Sequence, residues 1–299
     1  MDMNYQQHLF ELFKPFLIER NEAPYPPCHE GEYLEEYFVR GFKENNESTG
    51  RFFIPVHWTA VFNFKVKDGL HPGSANWKLR QQLFITLKEL DSSKKYFTVS
   101  THDDAPQGEF PYDVKHFYAG GRSEAENTFP IPVIWSGYKD FSDTQKMIFC
   151  SFVGSVTHEI RPKLLTELDG KDGYFIRAFH WQQDVPEDRK DFFKAVLEQS
   201  RFTLCPRGYG ATSYRMYEAI QVGSIPVYVS DKFVFAWEDE LDWSEFCVII
   251  PEDKISEIDG VLKGFTETQI RKMQARLKEV YPLYFTIPAA YNQIIKRLR

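Results

Sequence analysis

Short apolar runs alternate with amphipathic stretches along the C-terminal half of this 299-residue chain. Five runs have the length and composition of buried strands: KMIFCSFVG, GYFIRAF, RFTLCP, SIPVYVS and FCVIIP. Helices are predicted between them over Pro162–Leu168, Asp188–Ser200 and Ser213–Val222, and again from Ile255 to the C-terminus. Strands that alternate with helices predict a parallel α/β sheet.

The N-terminal half shows the same alternation. RFFIPVHWTAVF predicts a buried strand, Ser74–Asp91 has helical periodicity, and KKYFTVSTHDD predicts a strand that ends in a polar loop. A second αβ unit is expected from about Tyr112 to Ile134, and a turn-rich linker follows it over Trp135–Gln145.

This organisation predicts two α/β domains of similar size. The first is expected over residues 1–140 and the second over residues 141–281, with a final helix over residues 282–299 that packs back on the first domain. Two such halves joined by a linker favour a ligand cleft between them, and open α/β sheets also bind ligands at the carboxyl ends of their strands.

Charge and composition narrow the classes of function. Thirty-six Lys and Arg residues against 43 Asp and Glu residues give a net charge of −7, which disfavours a nucleic-acid or anionic-membrane binder. No run approaches the roughly 18 apolar residues of a membrane span, so we expect a cytoplasmic protein, unless an anchor has been removed. Cys28, Cys150, Cys205 and Cys247 form no C-x-x-C and are predicted to be reduced structural thiols.

The stretch Arg201–Asp231 has the pattern of an anion site. An apolar strand is followed by a loop that contains Gly208, and a helix opens at Thr212 or Ser213, which aims backbone N–H groups and a helix dipole at an anion. Arg207 and Arg215 could clamp a diphosphate, and Glu218, one turn deeper, could bind the hydroxyls of a ribose. The alternative is an Arg–Glu surface pair beside a glycine turn, with no ligand.

Several motifs in this region resemble one family. They are C-P-R-G from Cys205, then S-Y-R-M-Y-E-A-I, G-S-I-P-V, V-S-D and L-D-W-S-E-F. The segments F-F-I-P-V-H-W, Y-F-T-V-S-T-H-D-D and F-V-G followed by E-I-R-P-K-L-L occur upstream in the matching order. Together they are similar to the exostosin-like glycosyltransferases, glycosyltransferase family 47, over roughly residues 34–280.

The resemblance implies a GT-B fold, in which two Rossmann-like α/β domains face each other across a cleft. It implies inverting transfer from a UDP-sugar, with UDP-xylose favoured over UDP-galactose, to the hydroxyl of a glycan acceptor. The implied contacts of the donor are Arg161, Arg207, Gly208, Ser213, Arg215 and Glu218. The alternative is a non-catalytic carbohydrate- or nucleotide-binding module on the same fold; a nicotinamide dehydrogenase is disfavoured because the dinucleotide fingerprint is missing.

Inverting transfer needs a base for the acceptor hydroxyl, and we expect it in the N-terminal domain. Asp103 and Asp104, with His102 as base or orienting partner, follow a predicted strand, although an Asx-type turn is the alternative. His57, at the end of F-F-I-P-V-H-W, is the alternate base, against a satisfied, half-buried histidine.

Two further residues are candidate sugar contacts, and the chain shows no metal motif. Asp231 follows the strand V-Y-V-S, where a capping role is equally plausible, and Trp237 precedes Trp243, which is predicted to be a core residue. Because the sequence contains no D-x-D, we expect neither a metal nor another cofactor; arginines and helix N-termini would stabilise the diphosphate instead.

Overall fold

The computed structural model describes residues 2–19, 31–45, 47–65, 69, 71–106, 108–110, 113–120, 127–138, 144–181 and 185–299. These residues form two compact units. The N-terminal unit contains residues 2–19 and Glu32–Ile131, and Ala290–Arg299 returns to it; the C-terminal unit contains Pro132–Ala289 and Gly31. Cys28 and the predicted boundary at residues 140 and 141 lie outside the described residues.

The N-terminal unit is built on a four-stranded parallel sheet in the order β1-β2-β3-β4. Its strands are β1 (Phe52–Phe53), β2 (Tyr96–Ser100), β3 (Val114–Tyr118) and β4 (Thr128–Pro130). Its helices are α1 (Met3–Leu12), α2 (Leu34–Asn45), α3 (Trp58–Asn63), α4 (Ala75–Lys88) and, from the C-terminus of the chain, α10 (Ile287–Lys296).

Aromatic packing fills the core of the N-terminal unit. Phe38 of α2 is fully buried and contacts the rings of Phe53 and Phe97 from the sheet, at 5.2 and 5.9 Å between centroids. Tyr291 of α10 packs on Phe38 at 4.9 Å, so the last helix of the chain is part of this core. The high phenylalanine content of the sequence thus serves packing.

The C-terminal unit contains a five-stranded parallel sheet in the order β6-β5-β7-β8-β9. Its strands are β5 (Ile148–Ser155), β6 (Tyr174–Phe179), β7 (Ser200–Pro206), β8 (Ile225–Val229) and β9 (Val248–Ile250). Its helices are α5 (Ile160–Leu168), α6 (Glu187–Gln199), α7 (Tyr214–Gln221), α8 (Ile258–Lys263) and α9 (Glu267–Val280).

Two parallel sheets with flanking helices confirm the predicted α/β class with two Rossmann-like domains. Cys150, Cys205 and Cys247 are buried free thiols, as predicted. None of the helices formed by the described residues is long and apolar enough to cross a membrane.

One local prediction was wrong. The run predicted as one long strand forms only β1, after which α3 begins at Trp58. The prediction failed because every side chain from Trp58 to Phe62 is buried, and an apolar run without periodicity does not distinguish a strand from a helix. Helix α5 was predicted, but it begins at Ile160, two residues before Pro162; the proline is tolerated there because the first turn needs no intrahelical N–H donor.

Candidate functional site

The strand order of the C-terminal sheet defines where a ligand can bind. From β5 the chain moves outward to β6, then returns to the other side of β5 as β7. The order therefore reverses between β5 and β7, and in open α/β sheets a crevice forms outside the carboxyl ends of the strands at this point. The two strands end here at Ser155 and Pro206, so the glycine loop after β7 opens from the switch point.

Arg161 joins the two strand ends. Its side chain is only 6% exposed, and its guanidinium donates hydrogen bonds to the carbonyl oxygens of Ser155 at 2.6 Å, Pro206 at 3.3 Å and Arg207 at 3.1 Å. Burial, and secondarily the positive charge of Arg215, lowers the pKa of Arg161 to about 9. The geometry shows that Arg161 holds backbone; its predicted contact with a donor stays a prediction.

Arg215 brings a second buried guanidinium to the same place from the first turn of α7. Its Nε and Nη2 atoms donate to the carbonyl oxygen of Val153 at 3.2 and 2.9 Å, and its guanidinium lies 4.5 Å from the centroid of the Phe152 ring. The remaining nitrogen, Nη1, is buried and has no hydrogen-bond partner among the described residues. A buried cationic donor without a partner is costly, so an acceptor at this position would stabilise it.

Gly154 makes room for Arg215. A Cβ atom at this position would overlap the Nη2 atom of Arg215, although the backbone of Gly154 is not in the left-handed region. The glycine of the F-V-G motif is therefore required by the close approach of a side chain. The sequence alone gives no reason for the glycine in this motif.

Glu218 is a buried acidic residue that interacts with the charge of Arg215. It lies one turn after Arg215 on α7 and is 4% exposed. Burial raises its pKa to about 7, against the opposing effects of Arg215 and of a hydrogen bond from Trp135. Among the described side chains of the C-terminal unit, the buried charged groups are thus two arginines and one glutamate, which leaves excess positive charge.

The loop between β7 and α7 carries the other predicted donor contacts. Arg207 is half-buried; its backbone N–H donates to Val229, its Nη2 donates to the carbonyl of Tyr209 at 3.1 Å, and its buried Nε has no partner among the described residues. Gly208 lies against the Arg161 guanidinium, where a Cβ atom would be 3.2 Å from Nη2. Ser213 is the N-cap residue of α7, and its side chain makes no capping hydrogen bond.

The two candidate sugar contacts have structural partners. Asp231 accepts a hydrogen bond from the backbone N–H of Glu252 at 2.7 Å, a partner 21 residues further along the chain. Trp237 is 2% exposed and donates from Nε1 to the carbonyl of Tyr284 at 3.2 Å, so its indole belongs to the core. Trp243 is also buried, as predicted.

In the N-terminal unit, hydrogen bonds distinguish the two candidate histidines. His57 stands at the N-cap position of α3, its side chain makes no capping bond, and its Nδ1 atom lies 3.0 Å from the carbonyl oxygen of Ile18. A carbonyl only accepts, so Nδ1 carries the proton, and in the neutral ring Nε2 holds the lone pair. In His102 the arrangement is reversed, because Nδ1 accepts from the backbone N–H of Asp104 at 3.0 Å, and burial lowers the pKa of this imidazole to about 4.

The carboxylates next to His102 differ in exposure. Asp104 is exposed and lies close enough to Arg80 to interact with its charge. Asp103 is half-buried, and its backbone carbonyl accepts a hydrogen bond from the hydroxyl of Tyr118. Of these two residues, Asp104 is the one whose side chain is presented to solvent.

Sequence reasoning missed a buried carboxylate in this unit, that of Glu35. Its carboxylate accepts hydrogen bonds from the backbone N–H groups of Thr59 and Thr101, both at 2.9 Å, and it is 3% exposed. Burial raises its pKa to about 8, against the hydrogen bonds from Thr101 and Thr59, which lower it. The sequence did contain a signal for its burial: Glu35 lies on the same i, i+3, i+4, i+7 helix stripe as the apolar residues Phe38, Val39 and Phe42.

Comparisons with known proteins agree with the motifs. Residues 123–265 match the family described as Exostosin GT47 domain. The protein named "Probable glucuronosyltransferase GUT1" from Oryza sativa subsp. japonica is 30% identical over 124 residues, 38% of this chain and 30% of its own length. The protein named "Probable beta-1,4-xylosyltransferase IRX10" from Arabidopsis thaliana is 29% identical over 147 residues, 44% of this chain and 36% of its own length.

A solved structure titled "Crystal Structure of alpha1,3-Fucosyltransferase" overlaps 98% of this chain and 95% of its own, with a TM-score of 0.45 and 15% identity. The matched segment is thus similar to the exostosin-like glycosyltransferases. The similarity to the GT47 domain covers residues 123–265, and the alignments span about a third of the length of the two curated relatives.

The close approach of Arg215 to Gly154 yields a testable prediction. In Gly154→Ala the new methyl group displaces the guanidinium and breaks its bonds to Val153, so we expect stability to fall by about 1–3 kcal/mol. Gly260→Ala is the matched control, because a Cβ there meets nothing within 4 Å. It should leave stability unchanged or raise it by up to about 1 kcal/mol.

Urea unfolding of the wild type and both variants measures these differences. A Gly154→Ala protein as stable as the Gly260→Ala control would contradict the packing described for Arg215.

Proposed function

We propose that this chain is an inverting glycosyltransferase that binds a UDP-sugar at the carboxyl ends of β5 and β7 and transfers the sugar to a glycan hydroxyl. One observation carries the proposal. At the switch point two buried guanidiniums and one buried carboxylate leave excess positive charge, and Nη1 of Arg215 has no partner among the described residues. A diphosphate supplies the negative charge and the acceptor oxygens that this arrangement lacks.

The proposed roles follow from the hydrogen bonds that each side chain already makes. Arg207 and Arg215 bind the diphosphate with the N-terminus of α7, where Ser213 offers a hydroxyl that makes no capping bond. Glu218 accepts from the ribose hydroxyls, as acidic residues do in related nucleotide folds. Arg161 holds the loop through its three carbonyl contacts.

The reaction is a single displacement at the anomeric carbon. The acceptor oxygen forms the new glycosidic bond, the bond between the anomeric carbon and the diphosphate oxygen breaks, and UDP leaves with the electron pair. The acceptor proton passes to a base. Arginines and helix N–H groups stabilise the charge that develops on the departing diphosphate, a role that a metal ion has in other enzymes.

The tautomers favour His57 as that base. In the neutral ring Nε2 of His57 carries a lone pair, and the carbonyl of Ile18 fixes the ring through Nδ1. The corresponding lone pair of His102 already accepts from the N–H of Asp104. Asp104 is the second candidate because its carboxylate is exposed.

The donor sugar is proposed on similarity. The L-D-W-S-E-F motif led us to favour UDP-xylose and then UDP-galactose, and the names of the relatives add UDP-glucuronate as a donor to test. A thermal-shift series of these UDP-sugars compares them directly, because a ligand raises apparent stability by mass action.

Removing the half-buried arginine of the loop should weaken nucleotide binding. We expect Arg207→Ala to lose about 1.5–3 kcal/mol of UDP affinity, roughly ten- to a hundredfold, because one charged hydrogen-bonding group is lost. Arg201→Ala is the control: Arg201 lies at the other end of β7 and pairs on the surface with Glu267. Equal UDP affinity of the two variants in calorimetry would remove Arg207 from the site.

The identity of the base is tested by isosteric variants. His57→Asn keeps a donor for the carbonyl of Ile18 but loses the basic nitrogen, so kcat should fall by about a hundred- to ten-thousandfold while UDP affinity persists. His102→Asn keeps an acceptor for the N–H of Asp104 and should retain most of the rate. Loss of transfer in Asp103→Asn or Asp104→Asn, with His57→Asn active, would move the base to that loop.

Transfer should persist in excess EDTA, because arginines stabilise the diphosphate in the proposed mechanism. Release of UDP from UDP-sugars is the measurement, with and without a glycan acceptor. A rate that EDTA abolishes and manganese or magnesium restores would show a metal requirement. A chain that binds UDP but releases none from any donor is a nucleotide-binding module instead.

A further inference from the structure

We propose that Glu35 is a positioning residue for the catalytic base: by accepting hydrogen bonds from Thr59 and Thr101, it holds the segments that carry His57 and His102 in one arrangement. This inference rests on the proposed function, because it assumes that the base lies in the N-terminal unit. Glu35 itself touches neither histidine in the contacts described.

The two partners of Glu35 come from different elements. Thr59 is in the first turn of α3, two residues after His57, and its N–H donates to Oε1 at 2.9 Å. Thr101 follows β2 directly and precedes His102, and its N–H donates to Oε2 at 2.9 Å. The Glu35 carboxylate of α2 therefore binds both the first turn of α3, next to His57, and the residue after β2, next to His102.

The hydroxyl groups complete the network. Thr59 Oγ1 lies 3.3 Å from Oε2 of Glu35 and 3.1 Å from Thr101 Oγ1. Thr59 is thus bound to Glu35 through both its backbone and its side chain. The first N–H groups of a helix have no intrahelical partner, so Glu35 also satisfies one open donor of α3.

Burial makes the network selective for one geometry. Glu35, Thr59 and Thr101 are each less than 10% exposed, so water does not readily replace a lost bond. Without the carboxylate, two buried N–H groups would need new partners, and the segments would move to find them. His57, at the N-cap of α3, would move with them, and a displacement of about 1 Å in a catalytic group can cost about a hundredfold in rate.

Two substitutions test the inference by degrees. Glu35→Gln preserves size but turns one acceptor into a donor, and Glu35→Ala removes both acceptors. We expect kcat to fall about tenfold in Glu35→Gln and about a hundredfold in Glu35→Ala, with UDP affinity within twofold of wild type, because the nucleotide residues lie in the other unit.

Gln6→Ala is the matched control. Gln6 is also buried in the N-terminal unit and bonds through its side chain to both the N–H and the C=O of Phe53, at 2.8 and 3.0 Å. These bonds serve β1, before the segment with His57. Gln6→Ala should lower the urea midpoint as the Glu35 variants do, yet leave kcat within twofold of wild type.

A measurement independent of activity follows the imidazoles. Ring nitrogen chemical shifts in NMR report the tautomers of His57 and His102, which should change in Glu35→Ala and, less, in Glu35→Gln. Signals of His158 and His180 in the C-terminal unit should not change.

The inference is overturned if Glu35 variants keep kcat, or if Gln6→Ala loses as much kcat as they do at similar stability. A wild-type chain without transfer activity refutes the proposed function instead. In that case unchanged His57 and His102 signals in a folded Glu35 variant still overturn the positioning role.

Discussion

The C-terminal unit depends on two guanidiniums buried at the carboxyl edge of its sheet. Arg161 ties the end of β5 to the end of β7, and Arg215 ties α7 to β5 through Val153. Taking charge out of water costs several kcal/mol per ion unless hydrogen bonds and opposite charge compensate. Backbone carbonyls and Glu218 supply part of this compensation. The glycine loop and the start of α7 are therefore held by the same contacts that leave excess positive charge at this edge of the sheet.

The N-terminal unit uses the converse arrangement. There the buried carboxylate of Glu35 accepts hydrogen bonds from backbone N–H groups at the carboxyl end of β2 and at the start of α3. In both units a long side chain on a helix reaches backbone groups that secondary structure leaves open at strand and helix ends. Such contacts fix the ends of loops, and loops positioned by a rigid scaffold often carry binding and catalytic residues.

Sequence patterns predicted most of the C-terminal unit because its elements are regular. β5, β7 and α7 lie within a residue or two of their predicted ends, since apolar runs of strand length alternate there with amphipathic stretches. The prediction failed at α3, whose side chains from Trp58 to Phe62 are buried all round, so no polar face reveals the helical period. Residue types and spacing also indicated an anion site after β7, because glycine, arginine and a helix start follow one another within a few positions.

By itself, then, the sequence determined the α/β class, the similarity to the GT47 domain and the loop to which the proposed function assigns the donor. The tertiary structure decided which of the predicted site residues donate hydrogen bonds to backbone carbonyls and which keep a donor atom without a partner among the described residues. Arg161 and Arg215 look equivalent in the sequence, yet three carbonyls bind the first, while the second keeps one buried nitrogen without a described partner. Glu35 acquired its role only when the fold brought Thr59 and Thr101 to it. Hydrogen bonds between residues distant in the chain depend on backbone positions, and these are set by the packing of the whole unit rather than by local pattern.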